Sequence, residues 1–174
     1  MRPLNAQIRL DNLRQNYRFL KELHGNKLLA VIKADAYGHG AVRCAHALAD
    51  IADGFAVATV DEGVELRQNG IKNPIVLLEG VFEDAEYADV DRYDLWPAIG
   101  SQWQLEAFAH HEWQSPTTVW LIMYSGMHRA GFFPHNYAAV YTALKQSESV
   151  GNIVNFSHFA CSDEPQYYLT AMQL

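Results

Sequence analysis

Cysteine is scarce in this sequence: two residues, Cys44 and Cys161, in 174. They stand far apart with no zinc-ligand spacing, so the pattern gives no disulfide framework and no metal site, and both read as free, partly buried thiols. Long apolar runs are missing as well. The opening MRPLNAQIRLDNLRQ holds no signal-sequence core, and no stretch reaches the roughly 18 uncharged residues a membrane helix needs. Basic charge is thin. Thirteen lysines and arginines against twenty acids give a formal charge of -7, and the cations form no stripe that could follow a phosphate backbone. Nucleic acid and membrane are therefore not expected partners, and a soluble cytoplasmic protein is.

What is present is core. Hydrophobic residues make up 49% of the chain, enough for one domain with a sizeable interior. Six short apolar segments recur at fairly regular intervals: LLAVIKA at 28–34, GFAVAT at 54–59, PIVLLEG at 74–80, DLWPAIG at 94–100, TTVWLIMYSG at 117–126 and IVNFSHFA at 153–160. Each is a candidate strand. Between them lie helical patterns. Asp11 is the expected cap of a helix with Leu13, Tyr17, Leu20 and His24 on one face and Gly25 as its stop. Thr59 with Glu62, and Ser101 with Gln104, have capping-box spacing. A further helix is expected near Asn136, after Pro134, and the start of another at Tyr168, Ala171 and Met172.

A β-α unit repeated about six times, with strands apolar on both faces, predicts a parallel sheet. A doubly wound sheet normally carries a glycine-rich phosphate turn, but no GxGxxG is present and DAYGHGA matches neither that motif nor the nucleotide P-loop. A (β/α)8 barrel has eight units over about 250 residues. The expectation is an incomplete TIM-type barrel with about six of its eight units, its helices outside and an open edge beside the sixth strand.

In a barrel, ligand groups gather at the C-terminal ends of the strands. Lys33 follows five apolar residues, a setting that lowers a lysine pKa by desolvation and leaves a nucleophilic amine able to form a Schiff base. A surface lysine is the alternative. Tyr37 and the glycines of YGHG suit either a rigid connection or close approach to a phosphate-bearing ligand. Arg129, in SGMHRAGF, is either solvated or a fork for a carboxylate or phenolate oxygen. His158 reads as a core histidine or as support for another residue. Neither His110 with His111 nor His158 with Cys161 makes a metal set, and Asp61, Glu62 and Glu65 read as helix-start and solvent-face acids.

Three stretches in order, VIKADAYGHG, YSGMHRAGF and SHFACSDEP, with LLEGVF at 77–82 as a fourth, closely resemble bacterial alanine racemases. The resemblance covers the chain from the first helix onward. It implies pyridoxal 5'-phosphate as cofactor, held at the barrel mouth, and interconversion of L-alanine and D-alanine, which supplies cell-wall peptidoglycan precursors. By motif, Lys33 resembles the lysine that bonds to the cofactor and acts as base on the D-alanine side. Tyr37 is similar to the tyrosine beside the cofactor phosphate, Arg129 to the residue at the phenolic oxygen and substrate carboxylate, and His158 to a partner of a later arginine.

The family also implies a homodimer and a C-terminal β-rich domain that gives its partner subunit the second base, a tyrosine. Residues 1–174 then correspond to the N-terminal part of the barrel domain, and the chain taken alone is expected to be inactive and prone to self-association. Two positions depart from the family pattern: Ile122 and Tyr124 stand where members usually carry lysine and aspartate. An amino-acid decarboxylase, a racemase of broader range, and a pyridoxal-phosphate-binding protein without turnover are the competing readings.

Overall fold

The alternation of short apolar runs with helical periodicity becomes parallel strands and helices in the computed structural model, which describes residues 3–164 and 166–174. Met1 and Arg2, from the opening segment, and Pro165, from the third motif, lie outside the described residues. The chain forms two compact units, Met1–Val76 and Leu77–Leu174.

The first unit runs α1 (Leu10–His24), β1 (Leu29–Val31), α2 (Lys33–Gly38), α3 (Ala41–Leu48), β2 (Gly54–Val57) and α4 (Val60–Gln68), then enters β3 (Ile75–Leu77). β1 pairs parallel with β2, Leu29 opposite Gly54 and Val31 opposite Ala56. The Phe55 amide donates to the Pro74 carbonyl at 2.8 Å on the other side. Every residue of β2 is buried. Gly54 admits no side chain, because a Cβ there would lie 2.8 Å from Leu29 and 2.9 Å from the Pro74 carbonyl.

Helix α1 stops at Gly25 as expected, with φ +69° and its amide on the Lys21 carbonyl. Its start differs. Arg9 occupies the cap without a side-chain bond, and Asp11 lies inside the first turn, where a negative charge still favours the amide-rich helix end. Of the expected apolar face only Tyr17 is buried; Leu13 is half-buried, while Leu20 and His24 are exposed. The Tyr17 hydroxyl donates to the Leu28 carbonyl at 2.5 Å. Asp53 accepts from the Leu28 amide and pairs with Lys21, both at 2.8 Å. These bonds tie α1 to the entrance of β1.

The second unit continues through a 3-10 turn (Asp84–Glu86), α5 (Tyr87–Arg92), β4 (Trp96–Ile99), α6 (Gln102–His110), β5 (Thr117–Ile122), α7 (Pro134–Gln146), β6 (Val150–Phe156) and the short α8 (Leu169–Met172). β5 pairs parallel with β4 on one side and β6 on the other. Its core holds Leu95, Ile99, Phe108, Val119, Leu121 and Leu144, each at most 1% exposed. Tyr87, Phe108 and Trp113 pack edge to face or tilted, 4.6–5.8 Å between centroids.

Helix α6 begins where the Ser101–Gln104 spacing predicts, but not through a capping box. The Gln104 side chain accepts from the Gly100 amide at 3.0 Å and donates to the Glu79 and Val81 carbonyls at 2.9 and 3.0 Å. It is recruited as a buried bridge between loops, which satisfies more groups than a cap would. The strands are also shorter than their apolar runs. β5 ends at Ile122 and β6 at Phe156, which puts Tyr124, Ser125 and His158 in the loops beyond. No residue of β6 is buried, and among the described residues it pairs with β5 alone.

Candidate cofactor-binding site

Lys33 opens an unusual element. Ala34, Asp35, Ala36 and Tyr37 all lie at φ +50° to +54° and ψ +39° to +53°, so α2 is a left-handed turn built from residues with side chains. For L-residues this conformation costs roughly 1–2 kcal/mol each, so surrounding bonds must hold it. The Ala36 amide donates to the Ile32 carbonyl at 2.9 Å and the Gly40 amide to the Asp35 carbonyl at 2.8 Å. The Asp35 carboxylate accepts from the Ala41 amide at 2.7 Å, and His39 Nδ1 meets the Ala36 carbonyl at 2.8 Å. At the head of the turn, the Ala34 amide donates to Glu62 Oε1 at 2.6 Å.

Lys33 as a residue is half-buried, and the strand before it is not dry, since Val31 is 44% exposed. The dry surroundings expected before Lys33 are thus not found, and β1 itself is only three residues long with no residue fully buried. Among the described residues, no hydrogen-bond or ion-pair partner engages the Lys33 ammonium. Tyr37 projects from the same turn, 61% exposed. Cys44, on α3, is buried with its thiol against the His39 carbonyl, and burial pushes its pKa up, which disfavours the thiolate.

Arg129 belongs to a loop in the second unit, clamped at its base. The Tyr124 amide donates to the Phe132 carbonyl and the Phe132 amide to the Ile122 carbonyl, both at 2.9 Å, and the Gly131 amide reaches the Gly100 carbonyl at 3.1 Å. Gly131 sits at φ +109°, and a Cβ there would meet the Tyr124 nitrogen at 2.6 Å. Across the loop, the Tyr124 hydroxyl lies 2.8 Å from the His128 ring, and His128 itself takes φ +59°. Arg129 is exposed and has no hydrogen-bond or ion-pair partner among the described residues. Ile122, in the position where the family pattern has lysine, is buried. Tyr124, in place of aspartate, spends its hydroxyl on His128.

His158 is exposed in the loop after β6, and its carbonyl accepts from Gln173 at 2.9 Å. It is not a core histidine. The structure thus brings Lys33 and Tyr37 onto one turn, and Arg129 and His158 each onto a loop following a strand. Sequence reading missed Glu62 as part of this site: the capping-box spacing marked one of its functions and hid the other. It also missed the Tyr124–His128 contact, whose signal was the i, i+4 spacing within YSGMHRAGF.

Among the described residues neither the half-buried Lys33 nor the exposed Arg129 has a hydrogen-bond or ion-pair partner, so each by itself is open to a ligand group, an electrophile for the amine and an anionic oxygen for the guanidinium. The family "Alanine racemase, N-terminal domain" matches residues 8–174. The chain belongs to the alanine racemase family. It is 70% identical over 174 residues to the alanine racemase of Neisseria meningitidis serogroup A, and 54% identical to that of Pseudomonas taetrolens. Both alignments cover 100% of this chain and 49% of the relative, so the chain spans about half the length of the curated relatives it matches. The crystal structure of the biosynthetic alanine racemase from Pseudomonas aeruginosa superposes with a TM-score of 0.95 at 42% identity, covering 99% of this chain and 49% of that one. The fold is accordingly the incomplete (β/α)8 barrel expected from the sequence. Pyridoxal 5'-phosphate is the cofactor of this family.

Proposed function

We propose that the intact protein is a pyridoxal-phosphate-dependent alanine racemase, and that residues 1–174 form the N-terminal part of its barrel domain. The observation that carries this is Lys33: a half-buried lysine with no partner among the described residues, just beyond a strand and heading a turn whose backbone is pinned from several sides. Bound there, the cofactor supplies an electron-accepting ring that stabilises the carbanion left when an amino acid loses its α-proton. The chain's own residues do the rest. Lys33 would hold the cofactor through its amine, and the same amine would take or return the α-proton on one face. Tyr37 flanks the phosphate, Arg129 offers its fork to the phenolic oxygen and the substrate carboxylate, and His158 supports a residue beyond this segment.

Inversion needs a second base on the opposite face, which family resemblance assigns to a tyrosine of the partner subunit in a homodimer. A cytoplasmic site of action and alanine as substrate follow from the same reading. The test is direct. The intact protein is incubated with pyridoxal phosphate, reduced with borohydride and mapped by peptide, while D-alanine formation is followed in a coupled assay. Label confined to Lys33, with turnover lost in K33A, supports the proposal. Label spread over several lysines, or decarboxylation in place of racemisation, overturns it.

A further inference from the structure

Glu62 sits on α4, one β/α unit beyond Lys33, and three backbone amides converge on its carboxylate. Oε2 accepts from Ala58 at 2.7 Å and from Thr59 at 3.5 Å, completing the capping box that starts α4. Oε1 accepts from Ala34 at 2.6 Å. Capping explains the first oxygen and leaves the second unexplained. Ala34 is exposed and lies at φ +50°, a conformation its own side chain disfavours. The later part of the left-handed turn is held from within by Ala36, Asp35 and Gly40; its first amide is held by Glu62.

That amide belongs to the peptide plane joining Lys33 to Ala34. Fixing the plane fixes ψ of Lys33, and with it the direction in which the Lys33 side chain leaves the backbone. We infer that Glu62 is a positioning residue for Lys33, its two oxygens coupling the start of α4 to the turn that carries the lysine. The inference rests on the reading of Lys33 as the cofactor lysine. A carboxylate is required rather than an amide. Both oxygens face N–H donors, and glutamine can turn only one acceptor towards them, leaving its NH₂ against an amide proton.

The test uses the intact protein and three measurements. In wild-type protein without cofactor, the Ala34 amide should exchange slowly with solvent despite its exposed position, because Glu62 protects it; free exchange of that amide in the folded protein overturns the inference without any variant. E62Q should bind pyridoxal phosphate about 10- to 100-fold more weakly, with a matching fall in the visible absorbance of the lysine-bound cofactor. T59A, which weakens the same cap but leaves Ala34 alone, should stay within about twofold of wild type. Equal losses in E62Q and T59A would reduce Glu62 to a helix cap. A wild-type protein that takes no label at Lys33 fails the parent reading instead, whereas normal labelling of both wild type and E62Q with unchanged affinity sinks only this one.

Discussion

The Tyr124 hydroxyl lies 2.8 Å from the His128 ring, and the two rings meet edge to face at 5.1 Å between centroids. His128 immediately precedes Arg129, so this contact braces the arginine's loop from within. Tyr124→Phe keeps the ring and removes the bond. The expected loss is about 1 kcal/mol or less, given the contact's partial exposure. Hydrogen exchange over residues 124–131 should accelerate, and under the proposed function KM for alanine in the intact protein should rise more than kcat falls. Unchanged exchange would remove the brace from the account.

Gly131→Ala strikes the same loop harder. The added Cβ meets backbone atoms at 2.6 and 2.8 Å at φ +109°, so no side-chain rotation relieves it. A loss above about 2 kcal/mol is expected in chemical denaturation, together with weaker retention of cofactor. A variant as stable as wild type would mean that the loop base is softer than its hydrogen bonds indicate.

Acid should loosen the first unit. The hydrogen bond from Lys21, with that from the Leu28 amide, lowers the Asp53 pKa, and the Arg14 guanidinium brings Asp50 down to about 2. A carboxylate with a lowered folded pKa stabilises above its unfolded value of about 3.9 and stops doing so as pH falls through the folded value. Urea midpoints should therefore decline between about pH 4 and pH 2. Asp53→Asn should lower stability at neutral pH by about 1–3 kcal/mol and flatten that decline. An equally steep acid slope in the variant would assign it to other carboxylates.

The 174-residue chain produced by itself should self-associate, because β6 carries no buried residue and leaves an edge unpaired among the described residues, a template for further pairing. Size-exclusion chromatography at rising concentration reads this, and a sharp monomer peak throughout counts against it. Its racemase activity should sit near background, since one positioned acid-base group is typically worth about 10² to 10⁴ in rate. Turnover at a normal enzyme rate that disappears in K33A would show that both bases lie within these residues.

Much of this was legible beforehand for local reasons. Gly25 stops α1 and Thr59 with Glu62 caps α4, because each depends on residues a few positions apart; α7 was expected near Asn136 and starts two residues earlier, at Pro134. Illegible features depend on distant partners. Nothing in Ala-Asp-Ala-Tyr proposes four successive positive φ angles; bonds that include one from Glu62, 28 positions away, impose them. The Ser101–Gln104 spacing misled for the same reason, since two carbonyls near Gly80 compete for the glutamine. Strand ends were overextended because the runs TTVWLIMYSG and IVNFSHFA continue past Ile122 and Phe156, where β5 and β6 end.

The turn after Lys33 inverts an ordinary rule of substitution. At Ala34 the backbone sits where the mirror-image amino acid is at ease, and the side chain faces solvent. A chain assembled by semisynthesis with D-alanine at this one position should therefore gain stability, by roughly the 1–2 kcal/mol that the L-residue forgoes. Handedness, elsewhere fixed by the whole fold, is here a local and exchangeable property of a single residue.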